Sequence, residues 1–116
     1  MNKIILLGVL TKDPELKQNE SGEKIYTRFV LAVQRNFKLP DGSREADFIH
    51  VVVFGKKAEI ICKYLKKGSM LTLSGRLKTG SYDDKDGIRR YVAEVIAEDF
   101  KFLNYKKHNN ENEISC

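Results

Sequence analysis

The hydrophobic period of this 116-residue sequence changes once, and that change limits the folds it can adopt. Up to residue 55 apolar side chains alternate with period two, as in the run EADFIHVVVFG at residues 45–55. Between residues 56 and 67 they recur at helical spacing instead. The residues on this helical face are Ala58, Ile61, Cys62 and Leu65. Alternation returns after Gly68, so the sequence predicts strands on both sides of one short helix.

Turn residues such as Pro40-Asp41-Gly42 divide the alternating regions into five predicted strands. The strands cover residues 3–10, 25–35, 45–55, 70–78 and 91–103. In the fourth, Leu71, Leu73 and Leu77 are predicted to face inward, and Gly75 on the same parity indicates a bend or bulge. Three strands, a helix and two strands favour an all-β Greek-key barrel, the oligonucleotide-binding fold, with a sandwich or an α+β domain as alternatives.

The third predicted strand presents two different faces. Ile49, Val51 and Val53 form an aliphatic stripe that is predicted to face the core. The opposite face carries Phe48, His50, Val52 and Phe54. This second face is consistent with a further core contact, a contact between subunits, or a platform for a flat ligand. The role of His50 is left open.

Positive charge and exposed rings occur in the same part of the sequence. The net charge is +5, and ten of the 21 Lys and Arg but only four of the 16 Asp and Glu lie at residues 56–90. Phe37 and Tyr82 fall in polar, turn-rich segments without local apolar neighbours, so a ligand or another subunit is expected to cover them. Nucleobases stack on such rings without sequence preference, and a basic surface attracts their phosphates.

Motifs for catalysis or metal binding are not found. DDKDG at residues 83–87 resembles a calcium loop, but Ala93 stands where the bidentate glutamate belongs. His50 and His108 have no partner at ligand spacing. Cys62 and Cys116 are predicted to be free thiols in a reducing cytoplasm. The sequence therefore predicts a protein that is not an enzyme, has no cofactor or metal, and has no membrane span or signal peptide.

Seven segments between Asn2 and about Leu103 occur in an order and with spacings that match a known family. They are NKIILLG (2–8), KDPEL (12–16), FVLAVQRNF (29–37), EADFIHVVVFGKKAE (45–59), YLKKGS (64–69), SGRLKTGSY (74–82) and RYVAEV (90–95). Together they resemble the bacterial-type single-stranded DNA-binding protein family.

This resemblance implies a five-stranded oligonucleotide-binding barrel with one short helix between the third and fourth strands. Residues 1–104 are expected to form the single-stranded DNA-binding domain, and the polar residues 105–116 a short disordered tail. Matching the motifs residue by residue gives stacking aromatics and phosphate-binding bases. The aromatics are Phe37, Phe48, Phe54 and Tyr82, and the bases are Arg35, Lys56, Lys67, Arg76 and Lys78.

The expected function is sequence-independent binding and protection of single-stranded DNA in replication, recombination, repair or DNA uptake, by a cytoplasmic homotetramer or dimer. The alternatives are a primosome or replisome adaptor with incidental DNA affinity, and an RNA-binding barrel. The sequence departs from the family at Val9, where arginine or asparagine is common, and at Gly80-Ser81, where the segment is commonly basic. It ends at NENEISC without the acidic tip with which members usually recruit replication proteins, so such recruitment is not expected.

Overall fold

The computed structural model describes residues 1–103, which form six strands and one helix. The strands are β1 (Ile4–Leu10), β2 (Lys17–Gln18), β3 (Ile25–Gln34), β4 (Ala46–Phe54), β5 (Met70–Asp83) and β6 (Arg89–Phe102), and the helix is α1 (Lys56–Tyr64). Five strands and the helix are the predicted ones. β2 was not predicted, because a strand of two residues is too short to show an alternating hydrophobic pattern. The predicted tail at residues 105–116 lies outside the described residues.

The strands form one closed sheet. Its order is β1-β5-β6-β4-β3-β2, and β1 also pairs with β3 where Val9 lies opposite Ala32. All pairings are antiparallel except β4 with β6, where Val51 lies beside Val95. The closed sheet with a single helix between β4 and β5 confirms the predicted all-β barrel with one short helix.

The interior is filled by the side chains that the alternation assigned to it. Val51 and Val53 are buried, and Ile49 packs against them. The helix begins after Gly55, and its buried residues Ala58 and Ile61 belong to the same cluster. The interior also includes Leu10, Phe29, Leu31, Leu71, Leu73 and Val95. Within residues 1–103, no helix has the length and apolar character needed to cross a membrane.

The bulge predicted at Gly75 is present, between Ser74 and Gly75 in the pairing of β5 with β6. A Cβ on Gly75 would lie 2.1 Å from the carbonyl oxygen of Ile96, so only glycine fits this close approach. After the bulge, β5 and β6 continue beyond the barrel as a two-stranded hairpin. Leu77 was predicted to face the core, and this prediction is wrong. Its side chain is 41% exposed, because β5 leaves the barrel at this point.

Candidate nucleic-acid interface

The two faces of β4 differ as the alternation predicted. Its aliphatic stripe points into the barrel, so the strand cannot rotate without emptying the core. Phe48 and Phe54 therefore project outward from a fixed backbone, and both rings are exposed. His50 is exposed between them.

Val52 is an exception on the outer face of β4, because it is fully buried. In the pairing register it lies opposite Arg28 on β3 and beside Ile96 on β6, and Arg76 on β5 lies opposite Ile96. These four residues form a row across the sheet, two arginines flanking an apolar pair. Long arginine side chains cover apolar neighbours with their methylene groups. The row separates the surface around Phe48 from the surface around Phe54.

The two other predicted rings lie on different supports. Phe37 lies in the loop between β3 and β4, whereas Tyr82 lies within β5 near the tip of the hairpin, opposite Arg90. Tyr82 is therefore in a paired strand rather than in the loop that its sequence context indicated. The four predicted rings are between 45% and 65% exposed.

Three of the predicted basic residues carry side chains with no carboxylate partner among residues 1–103. They are Lys56, Lys67 and Lys78. Lys56, two residues after Phe54, begins α1, and Lys78 lies on the hairpin. Lys67 lies after α1, where its backbone N–H donates to Asp13 Oδ1 at 2.7 Å. Their ammonium groups can contact an anion without first giving up an ion pair.

Arg35 is held by two carboxylates. Its Nη2 lies 2.8 Å from Asp47 Oδ1, its Nε donates to the same carboxylate, and its Nη1 donates to Glu45 Oε1 at 3.0 Å. The hydrogen bond with Asp47 raises the pKa of Arg35, and the same bond lowers the pKa of Asp47. Arg44 donates to the carbonyls of Arg35 and Asn36. Arg35 thus closes the base of the loop that carries Phe37.

The remaining predicted base, Arg76, is held less firmly than Arg35. Its Nε lies 3.6 Å from Glu98 Oε2, which is beyond hydrogen-bonding distance. An exposed ion pair of this kind contributes about 0–1 kcal/mol. Arg76 can therefore exchange its carboxylate for another anion at little cost.

A groove of about 780 Å³ separates the outer face of β3 and β4 from the hairpin. Its lining includes Tyr26, Arg28, His50, Lys78 and Glu94. Of the nine residues predicted from the sequence, only Lys78 lines it. Tyr26 and Arg28 were missed, although they stand on the outward parity of β3, opposite to the buried Phe29. That alternation was the signal that could have identified them.

Comparison with known proteins gives a consistent result. Residues 1–103 match the model of a family described as "Single-strand binding protein family". The chain is 54% identical over 110 residues to "Single-stranded DNA-binding protein 2" of Clostridium acetobutylicum, which covers 95% of this chain and 82% of that protein. It is 53% identical over 105 residues to "Single-stranded DNA-binding protein" of Clostridium tetani, covering 90% and 72%. It is 50% identical over 111 residues to "Single-stranded DNA-binding protein 2" of Staphylococcus aureus, covering 96% and 79%.

Proposed function

Because the chain belongs to the single-strand binding protein family, we propose that it binds single-stranded DNA without sequence preference and protects exposed strands. Its processes would be replication, recombination, repair or DNA uptake in the bacterial cytoplasm, and the protein performs no catalytic step in them. The observation that carries the proposal is the outer face of β4, where Phe48 and Phe54 are exposed on a strand locked by its buried face.

Stacking supplies the sequence-independent part of this binding. Every base has an aromatic face, and stacking on a protein ring contributes about 1–3 kcal/mol per base. Phe48 and Phe54 provide fixed platforms, and Phe37 and Tyr82 extend them onto the loop and the hairpin. The absence of tryptophan in the chain makes each contact smaller than an indole would provide.

The basic residues are proposed to contact phosphate to different degrees. Lys56, Lys67 and Lys78 contribute most, because none has to leave a carboxylate. Arg76 contributes after separating from Glu98, and Arg35 contributes least because its hydrogen bonds hold it to Asp47 and Glu45. Each phosphate contact releases a counterion and steepens the salt dependence of binding. Replacing Lys78 with Gln is therefore expected to flatten the salt dependence more than replacing Arg35 with Gln.

Fluorescence anisotropy with labelled oligo-dT tests the proposal directly. Phe48→Ala and Phe54→Ala are each expected to weaken binding by about 1–3 kcal/mol. Ile60→Ala is the matched control, because it removes an exposed apolar side chain from α1 instead of β4. Binding of the unaltered protein that is micromolar or weaker at low salt, or equal affinity for duplex DNA, would refute the proposal.

We propose in addition that the functional form is a homotetramer, as is usual in the family. In β1, pairing with β3 occurs only at Val9 and Leu10, so the edge of residues 4–8 that faces away from β5 has no strand partner within residues 1–103. Ile5 and Leu7 on this segment are exposed. An unpaired apolar strand edge is suited to pairing with another chain.

Multi-angle light scattering of the free protein measures this assembly. A mass four times that of one chain is expected, and the change Leu7→Lys should reduce the mass because a charge would enter the paired edge. A monomeric mass for the unaltered protein would contradict the assembly and leave the DNA-binding proposal in place.

A further inference from the structure

Tyr26 lies beside one of the proposed stacking rings. In the pairing of β3 with β4 it is directly opposite Phe54, so both side chains stand on the outer face of the sheet. Their ring centroids are 6.2 Å apart and their planes are inclined by 49°. The surface that Phe54 presents therefore continues across the neighbouring strand as a second ring.

Arg28, two residues further along β3, is placed over that second ring. Its guanidinium carbon lies 5.3 Å from the centroid of Tyr26, within the range of a cation–π contact. Its Nε lies 3.6 Å from Glu94 Oε2, too far for a hydrogen bond. Arg28 thus has two weak attachments, in contrast to the hydrogen bonds that hold Arg35.

Tyr26 and Arg28 line the groove between the sheet and the hairpin, together with His50, Lys78 and Glu94. Its volume of about 780 Å³ lies within the usual range for small-molecule pockets. The groove is continuous with the Phe54 surface through Tyr26. Four Lys and Arg but also three Asp and Glu line it, so an anionic chain would meet only a small positive excess there; the bases are Lys12, Lys17, Arg28 and Lys78, and the acids are Asp13, Glu15 and Glu94.

We propose that Tyr26 and Arg28 form a further nucleobase subsite, which holds the base next to the one stacked on Phe54. The subsite depends on the single-stranded DNA binding proposed above and adds residues that the resemblance did not identify. With Arg28 at 5.3 Å no base fits between it and Tyr26. Base stacking on Tyr26 therefore moves Arg28 away from the ring and towards the phosphate of the same nucleotide.

Glu94 acts as a competitor in this arrangement. Its carboxylate, like a phosphate, presents anionic oxygens to the guanidinium of Arg28, so a DNA phosphate must displace the Glu94 carboxylate to bind Arg28. Removing that charge should tighten binding, whereas removing the ring should weaken it. Opposite effects from two neighbours in one groove are not expected from a general loss of structure.

The experiment measures oligo-dT affinity by anisotropy for Tyr26→Leu, Tyr26→Phe and Glu94→Gln. Tyr26→Leu keeps apolar bulk beside Phe54 but removes the ring, and it should weaken binding roughly 5- to 150-fold. Tyr26→Phe keeps the ring and should stay within about twofold. Glu94→Gln should tighten binding about 1.5- to 5-fold, the range for releasing a surface ion pair.

A supporting role for Tyr26 is separated from base binding by the double variant with Phe54→Ala. If Tyr26 only supports Phe54, Tyr26→Leu should have no further effect once that ring is gone. If Tyr26 binds a base of its own, Tyr26→Leu should still lower the affinity for oligo-dT in the Phe54→Ala background. Thermal unfolding of each variant identifies any that fails to fold.

The outcomes also distinguish the subsite from the overall function. Unchanged affinity in Tyr26→Leu, with a clear loss in Phe48→Ala, would overturn the subsite and leave the function intact. No binding of oligo-dT by the unaltered protein would overturn both.

Discussion

The two halves of β5 pair with β6 through one antiparallel ladder, but they contribute differently to the molecule. In residues 70–75 buried and half-buried side chains alternate, whereas residues 76–83 are all exposed. β6 is also divided, with Val95, Ile96 and Ala97 buried and residues 89–93 exposed, but its buried part reaches two residues further along the ladder, opposite Arg76 and Leu77. The antiparallel pairing of β5 with β6 therefore continues where the side chains are no longer buried.

The barrel half is constrained by packing, while the hairpin half is constrained only by pairing. A two-stranded hairpin without a core is marginal by itself. In this chain it is reinforced by cross-strand ion pairs, from Asp83 to Arg89 at 3.0 Å and from Asp84 to Arg90 at 2.8 Å. We infer that substitutions in the barrel half change stability, and that those in the hairpin half change binding.

The largest expected difference compares two leucines of β5. Leu73→Ala should lower the free energy of unfolding by about 2–5 kcal/mol, because it leaves a cavity among fully buried neighbours. Leu77→Ala, at a position 41% exposed, should cost less than about 1 kcal/mol. Urea unfolding followed by circular dichroism measures both. Equal costs would show that the hairpin half has a packing role.

The next comparison uses two glycines of the same strand. Gly75→Ala should cost about 1–3 kcal/mol, since its Cβ would press on the backbone of Ile96. At Gly80 the nearest atom to such a Cβ is a side-chain carbon of Val92 at 3.7 Å, an ordinary contact. Gly80→Ala should therefore be within about 0.5 kcal/mol of the unaltered protein. The same unfolding assay tests both, and an unaffected Gly75→Ala would contradict the bulge geometry.

A smaller effect, on binding alone, is expected from the hairpin rings. Tyr82 and Tyr91 are both exposed and point to opposite faces, because Tyr82 pairs with Arg90 and Tyr91 with Ser81. Tyr82→Ala should weaken oligo-dT binding by about 1 kcal/mol, the low end for stacking. Tyr91→Ala should leave affinity unchanged, and neither should alter the unfolding midpoint. Equal losses from both would mean that DNA contacts both faces of the hairpin.

The smallest effect concerns the hairpin tip and pH. The carboxylate of Asp84 accepts hydrogen bonds from the backbone N–H groups of Asp86 and Ile88. The hydrogen bond from Ile88 is the largest cause of a lowered pKa of this carboxyl, and the hydrogen bond from the Arg90 side chain is the second. A lowered folded-state pKa means that the contribution to tip order is complete above the ordinary aspartate value, about 3.9, and is lost as pH falls through the folded value.

Amide NMR signals of Asp86 and Ile88, followed from neutral to acid pH, measure this transition at the tip. Their shift towards positions typical of an unstructured chain should have its midpoint below about 3.9. Asp84→Asn, which cannot ionise, should lack the transition. A midpoint above the ordinary value would contradict the proposed role of Asp84.

The features that the sequence could predict are those that depend on the hydrophobic period of neighbouring residues. The core stripe of β4, the helix beginning at Lys56 and the bulge at Gly75 each follow from residues close together in the chain. Phe29 lies in the core as well, and its parity with Leu31 and Val33 in the sequence predicts that position. These features need no knowledge of which strands are neighbours.

Features that depend on strand pairing could not be derived in the same way. Val52 is buried because Ile96 and two arginines lie around it, and those neighbours come from three other strands. Arg35 was predicted to bind phosphate, but its carboxylates become visible only when β3 and β4 are aligned so that Val33 faces Asp47. The roles of the predicted site residues in DNA binding remain predictions.

The row at Val52 lies between Phe48 and Phe54, and the distance between these two rings has a consequence for the length of DNA that the protein can bind. Phe48 and Phe54 are six residues apart on one extended strand, which places their backbones about 20 Å from each other. A fragment shorter than this span can rest on one ring only and leaves the other in water. Affinity plotted against the number of nucleotides should therefore rise in steps, the first at the length that bridges both rings.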